Sequence, residues 1–216
     1  MKNIAIIMGG YSSEYKISLI SGNVVHQFLD KTKYNGFRIH IFKEKWVYVD
    51  ANESEFPIDK NDFSVTINGN KITFDCVFNA IHGTPGEDGL MQAYFELLNI
   101  PQTSCDYYQA ALTFNKRDLL SVLKPYGIKT ATSYYLNKGD AIHTDEIVTK
   151  VGLPCFVKPN KAGSSFGISK VKTAAELPIA IEVAYKEDNE IIIESFLDGT
   201  EVSVGVINYK GTITVL

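Results

Sequence analysis

Short apolar runs and amphipathic stretches alternate along this chain, and their spacing predicts strands interleaved with helices. Residues 4–8 form a continuous apolar run of the buried-strand kind, and Ile17, Ile20, Val24 and Phe28 recur at helical spacing behind it. Ser12 or Ser13 is placed to cap that helix. Residues 38–42 and Trp46–Val49 read as two further strands. Residues 63–67 and 71–74 flank Asn68-Gly69-Asn70, a hairpin signal because Asn and Gly tolerate positive φ. Residues 76–81 form another strand that runs into His82-Gly83, and a helix over 89–98 ends before Ile100-Pro101. This β-α-β opening is the doubly wound pattern, in which ligands sit beyond the carboxyl ends of the strands.

A second unit begins near Tyr107. The pattern predicts a helix through 116–123, a strand at 132–136, helices near 145–151 and 176–185, and a strand at 190–194. A further strand is expected over 201–207, turned by Asn208-Tyr209-Lys210-Gly211 into residues 212–216. An apolar strand at a chain end either pairs inside a sheet or leaves an exposed edge that templates aggregation. The expectation is a chain cut short of its natural end.

Composition narrows the function classes. With 45% hydrophobic and 21% charged residues the chain is an ordinary globular sequence. A net charge of -4 gives no electrostatic case for nucleic acid. No apolar run is long enough to span a bilayer, and the apolar start is too short for a signal peptide. Cys76, Cys105 and Cys155 are widely spaced, and Cys76 and Cys155 lie in apolar runs, so buried reduced thiols are expected rather than disulfides or metal ligands. A cytoplasmic location, with neither nucleic acid nor membrane as partner, follows.

The chemistry concentrates in residues 154–171. An apolar strand delivers Lys158, the loop Asn160-Lys161-Ala162-Gly163-Ser164-Ser165-Phe166-Gly167 follows, and a second strand begins at Ile168. Glycines let the backbone approach a ligand, and successive N–H groups can form an anion-binding concavity beside the lysine's point charge. Lys158 precedes the glycines and no helix follows them, so this is not a Walker P-loop. Alone, the segment is also compatible with an ordinary hairpin.

Three more motifs accompany it: Gly9-Gly10-Tyr11-Ser12-Ser13-Glu14 continuing to Ser18-Leu19-Ile20-Ser21-Gly22, His82-Gly83-Thr84-Pro85-Gly86-Glu87-Asp88-Gly89 followed by Gln92, and Ile193-Glu194-Ser195-Phe196-Leu197-Asp198-Gly199-Thr200-Glu201. In this order and spacing the four resemble the D-alanine–D-alanine ligases of the ATP-grasp superfamily. The resemblance covers essentially the whole chain. It implies an α/β fold with a doubly wound N-terminal substrate-binding domain (1–106), a central ATP-grasp domain (107–194) and the beginning of a C-terminal ATP-grasp domain (195–216).

It also implies roles. Glu14 matches the carboxylate that receives the ammonium of the first D-alanine, although a first-turn glutamate can simply favour the helix N-terminus. Ser164 matches the serine that holds the site closed, hydrogen-bonded toward Glu14, where a turn serine serving local backbone is the alternative. His82 corresponds to a position beside the first substrate, or else is a loop histidine with a backbone partner. Glu87 and Asp88 are secondary candidates, since helix capping explains them. Lys116 and Lys158 resemble the lysines on the ATP phosphates, with Ser164 and Ser165 in a flexible lid. Glu194 and the backbone of Ser195, Phe196 and Leu197 resemble the adenine-reading segment, and Glu201 the acid on the ribose hydroxyls.

The implied reaction joins two D-alanines at the expense of ATP, with Mg²⁺ (or Mn²⁺) as cofactor. The metal ligands and a catalytic arginine match no position in these 216 residues, so no metal-binding residue is assigned and this chain alone is expected not to turn over. A D-alanine–D-lactate ligase and a non-catalytic nucleotide-binding module are the other readings. A homodimer is a family expectation.

Overall fold

The computed structural model describes residues 1–216 and contains three sheets. The first is built around β1 (Lys2–Gly9), which pairs in parallel with β2 (Tyr34–Ile41) on one side and β7 (Cys76–Asn79) on the other. β1 is apolar at every position from Ile4 to Met8 because both its faces are covered. Ile4, Ile6 and Met8 face α1 (Tyr15–Phe28), while Ala5 and Ile7 join the core that encloses α2 (Leu90–Leu97). Beyond β2 the sheet continues as an antiparallel meander of β3 (Trp46–Val49), β4 (Glu55–Asp59), β5 (Ser64–Ile67) and β6 (Asn70–Ile72). The doubly wound pattern therefore holds for β2-β1-β7, and the other four strands extend it. An aromatic cluster closes this layer, with Phe63 and Phe95 ring centroids 4.8 Å apart in edge-to-face contact.

α1 has the expected span from a different face. Ile17, Ile20, Val24 and Phe28 point outward, with Ile20 67% and Phe28 77% exposed. The residues against the sheet are Ser18 and Gly22, one turn apart, with Leu19 and Val25 packed beside them. Small side chains let the helix axis approach β1 closely: a Cβ on Gly22 would stand 2.7 Å from Met8 Cβ. Gly22→Ala is expected to overpack this contact and cost about 1–3 kcal/mol. At about 2–4 °C per kcal/mol for a chain of this size, a thermal melt would show it. The expected serine cap is also replaced. Glu14 occupies the cap position without a side-chain cap, and Ser12 Oγ instead accepts the Glu14 N–H at 3.2 Å while donating to the His82 carbonyl at 3.0 Å.

The second sheet is antiparallel, in the order β10 (Ser169–Val171), β9 (Cys155–Pro159), β11 (Glu190–Ser195), β8 (Ser133–Asn137). α5 (Thr144–Val151) and α6 (Leu177–Ala184) cover one face, burying Ile147, Leu177 and Ile181 against Val157, Ile191 and Ile193. α3 (Tyr107–Phe114) and α4 (Lys116–Leu123) lead into this unit, and the first of these was not foreseen from the pattern. The third sheet is the hairpin β12 (Val206–Tyr209) and β13 (Thr212–Val215), exposed along its length. The strand expected over 201–207 starts only at Val206, because pairing reaches no further than Val206 opposite Val215. Its turn, Lys210-Gly211, lies at φ 50° and 81°, as a two-residue hairpin requires.

Candidate active site

Side chains alternate across a strand, so covering one face of the second sheet leaves the other set free. Cys155 and Val157 of β9 face the helices, while Phe156 and Lys158 face away; Ile191 and Ile193 of β11 face the helices, while Ile192 and Glu194 do not. Lys158 pairs in register with Ile192 and Phe156 with Glu194. This diagonal relation brings Lys158 Nζ to 2.8 Å from Glu194 Oε2, with both side chains largely shielded. Lys170 lies over the Phe196 ring, 3.8 Å from its centroid. The open face thus carries two aromatic rings, two lysines and one carboxylate.

The 160–168 loop leaves the end of β9 beside this face and meets the first unit. Its foot is Asn160, which is fully buried. Asn160 Oδ1 accepts the Arg117 N–H at 2.9 Å, and its Nδ2 donates to Asn115 Oδ1 and Glu190 Oε2, both at 2.8 Å. Lys116 Nζ donates to the Ala162 carbonyl at 2.7 Å and the Asn160 carbonyl at 3.2 Å. Burial and then the neighbouring Lys158 charge lower the Lys116 pKa. Hydrogen bonds from Lys161 and then Asn160 hold the Glu190 carboxyl below its ordinary 4.5. A lowered folded pKa stabilises the fold above the ordinary value, and that stability is lost as pH falls from 4.5 through the folded value. Thermal melts between neutral pH and about pH 3 are expected to show the parent losing stability faster than Glu190→Gln below that point.

At the loop's crest, the Gly163 N–H donates to Glu14 Oε1 at 3.2 Å. The expected hydrogen bond from Ser164 to Glu14 is not formed. Ser164 and Ser165 sit at φ 46° and 61°, so the chain turns there and the backbone N–H one residue earlier reaches the carboxylate. A Cβ on Gly163 would stand 3.1 Å from both Glu14 oxygens, so only glycine leaves that approach unobstructed. Glu14 is 3% exposed, and no basic group pairs with it.

His82 lies three residues past the end of β7, its Nε2 3.1 Å from Ser21 Oγ. Glu87 Oε2 accepts the Gly83 N–H at 2.8 Å and Asp88 Oδ1 the Leu90 N–H at 3.2 Å, so both have local structural work. Between this loop and the 160–168 loop lies a cavity of about 400 Å³, lined by Asn79, Gln92, Ser104, Thr113, Lys116 and Gly163. The structure thus gathers Glu14, Lys116, Lys158 and Glu194 around one loop. Ser195 and Phe196 spend their N–H groups on the Thr132 and Pro154 carbonyls, so neither N–H is free to read a base. Glu201 lies exposed on the segment after β11, with no ion pair.

The pattern missed Ser18, Asn160 and the Gly163 N–H. Ser18 is fully buried and ties two strand ends together, accepting the Gly9 N–H at 2.9 Å and donating to the Ala80 carbonyl at 2.8 Å. Cys155 is buried as expected, whereas Cys76 is only half-buried at the start of β7; all three thiols are free.

An antiparallel sheet whose Gly/Ser loop reaches across to a parallel-cored α/β unit defines an ATP-grasp-type protein. Family profiles described as "D-ala D-ala ligase N-terminus" and "D-ala D-ala ligase C-terminus" match residues 3–105 and 122–216. The chain is 90% identical over all 216 residues to a D-alanine–D-alanine ligase of Flavobacterium johnsoniae and spans 67% of that protein. The D-alanyl-alanine synthetase A of Vibrio cholerae superposes with a TM-score of 0.86 at 28% identity, over 99% of this chain and 65% of its own. The D-alanine–D-alanine ligase of Bacillus anthracis, solved in complex with ATP, gives 0.69 at 29% identity, over 92% and 60%. The chain belongs to the D-alanine–D-alanine ligase family, and it spans about two thirds of the length of the curated relatives it matches. No helix is long and apolar enough to cross a membrane.

Proposed function

We propose that this chain supplies the first-substrate and nucleotide sites of an enzyme that joins two D-alanines with ATP, for peptidoglycan precursor synthesis in the cytoplasm. The observation that carries this reading is Glu14, a carboxylate almost sealed from water with one hydrogen bond and no cationic partner. A buried charge with no ion-pair partner is costly, and an amino acid's ammonium would offset that cost. A plain nucleotide binder has no use for such a group.

In this reading the first D-alanine places its ammonium on Glu14 beside His82. Its carboxylate attacks the γ-phosphorus of ATP, ADP leaves, and an acyl phosphate forms. The amine of the second D-alanine then attacks the acyl carbon and loses a proton, and phosphate departs with the C–O bond electrons. Lys116 and Lys158 neutralise phosphate charge, which requires Lys116 to exchange loop carbonyls, and Lys158 the Glu194 carboxylate, for phosphate oxygens. Ser164 and Ser165 keep the loop turned over the phosphates. Glu194 and the segment Ser195, Phe196 and Leu197 border the adenine, with the Phe196 ring as an apolar wall, and Glu201 takes the ribose hydroxyls. Mg²⁺ (or Mn²⁺) rests on the family resemblance alone, since the chain gathers no group of three or more His, Cys, Asp or Glu side chains that could hold a metal ion. The division into 1–106, 107–194 and 195–216 is supported by the three separate sheets.

Phosphate release from ATP with D-alanine, measured in this chain and in one lengthened to the size of its relatives, tests the reading. D-alanine-dependent release by the longer chain is expected. Its absence would sink the ligase reading, and preference for D-lactate over D-alanine as second substrate would redirect it. The outward apolar face of α1 supports a homodimer through the first unit. Phe28→Glu is expected to shift sedimentation toward monomer, and an unchanged profile would remove this face as the contact.

A further inference from the structure

The α6–β11 turn is acidic, Glu187-Asp188-Asn189-Glu190, and it contacts the 160–168 loop. Two of its carboxylates hold the foot of the loop. Asp188 Oδ2 accepts the Lys161 N–H at 2.8 Å, while Glu190 takes Asn160 Nδ2 at 2.8 Å and Lys161 Nζ at 3.0 Å. Glu187 does something different. Its Oε2 accepts the Ser13 hydroxyl at 2.9 Å, crossing from the second sheet's unit to the turn that carries Glu14. Its stem supports the far end of the loop as well: a Cβ on Gly167 would stand 2.9 Å from Glu187 Cγ and 2.8 Å from Pro159 Cγ. Gly167, at φ +70°, is pressed between them.

Glu187 therefore contacts the two segments that meet at Gly163 and Glu14, the turn at Ser13 and the loop at Gly167, without touching that contact itself. The loop is bracketed at its crest by Gly163 on Glu14 and at its far end by Gly167 on Glu187, and Glu187 is tied to the residue before Glu14. We propose that Glu187 is a positioning residue, a latch that holds the first unit's 12–14 turn in register with the loop and so keeps the Gly163 N–H on the Glu14 carboxylate. Its relevance to D-alanine rests on the function proposed above, while the latch itself is a property of the ligand-free chain.

Hydrogen exchange of the 160–168 peptide, read in the 216-residue chain with no ligand, tests it beside the melting temperature. Ser13→Ala removes only the hydroxyl, and Glu187→Ala removes the acceptor and the stem. Both are expected to speed exchange in the loop by about three- to tenfold, the range one net hydrogen bond represents, with exchange elsewhere in the chain unchanged and the melting temperature lowered by no more than that one bond accounts for. Glu187→Gln keeps an acceptor and is expected to exchange as the parent does. Unchanged loop exchange in both alanine variants would overturn the latch. Faster exchange throughout the chain, with a melting temperature lowered by more than one hydrogen bond accounts for, would overturn it too, leaving Glu187 a general packing residue. Should Glu187→Ala fail to fold, Ser13→Ala decides alone. Calorimetric titration with D-alanine adds a separate reading: weaker binding in both alanine variants supports the latch's role at the substrate site. No D-alanine binding even by the parent would count against the ligase reading while leaving the exchange result standing.

Discussion

Glu14→Gln is expected to weaken D-alanine binding by about 100-fold while leaving the ligand-free protein as stable as the parent or more so. The two halves of this expectation share one cause. Glu14 is a nearly sealed carboxylate whose only hydrogen bond is the Gly163 N–H, so its charge is a liability until a cation arrives. Glutamine has the same size and keeps an oxygen to accept that N–H, so the substitution isolates charge from shape. Removing one partner of a buried charge pair costs about 2–5 kcal/mol of binding, and each 1.4 kcal/mol is about tenfold, which sets the magnitude. The apo protein has no pair to lose. Calorimetric titration with D-alanine and a thermal melt without it read both halves. Parent-like affinity would remove Glu14 from the substrate site, whatever the melt showed. A large drop in apo stability would instead make Glu14 a structural residue whose partner lies within the protein.

The sequence made some of this legible for physical reasons and hid the rest for others. Asn68-Gly69 was readable because only a few residue types accept φ near +50° and +79° in succession, and both positions hold them. β4 escapes the pattern because Pro57 sits in its middle and carries no N–H; Pro57 lies in register with Val47 of β3, while pairing with β5 begins only at Ile58. The helical period of α1 was visible, but the face was inverted. Apolar side chains mark a core face only when bulk fills the space, and here Ser18 and Gly22 are needed for close approach. Lys158 beside Glu194 could be anticipated only with the register of β9 against β11, a relation between residues 36 apart. The Gly163 N–H belongs to the backbone, and no side-chain motif announces a backbone donor. The family resemblance assigns the contact to Ser164, and the turn through positive φ hands it to the neighbouring Gly163 N–H.

Lys158→Met is expected to lower ATP affinity by about 100-fold and also to destabilise the chain, and the pairing with Glu194 lets the two effects be separated. Methionine matches the length of the lysine stem and packs against Phe156, so little volume is lost. What it removes is the charge, which leaves the Glu194 carboxylate, only 13% exposed, without its cation. The pair is shielded but not sealed, with the lysine side chain 27% exposed, so the stability cost is set below the about 3–5 kcal/mol of a fully buried pair, at about 1–3 kcal/mol. That corresponds to a melting point lower by about 2–4 °C for each kcal/mol. Adding Glu194→Gln removes the orphaned charge and is expected to restore the melting temperature, because two neutral partners of similar shape need no compensation. It is not expected to restore nucleotide binding, since the phosphate oxygens still lack the Lys158 cation. Titration of ATP into the single and double variants, beside their thermal melts, reads the difference. Recovery of both quantities together in the double variant would show that Lys158 only neutralises Glu194, and the phosphate role would pass to Lys116 alone.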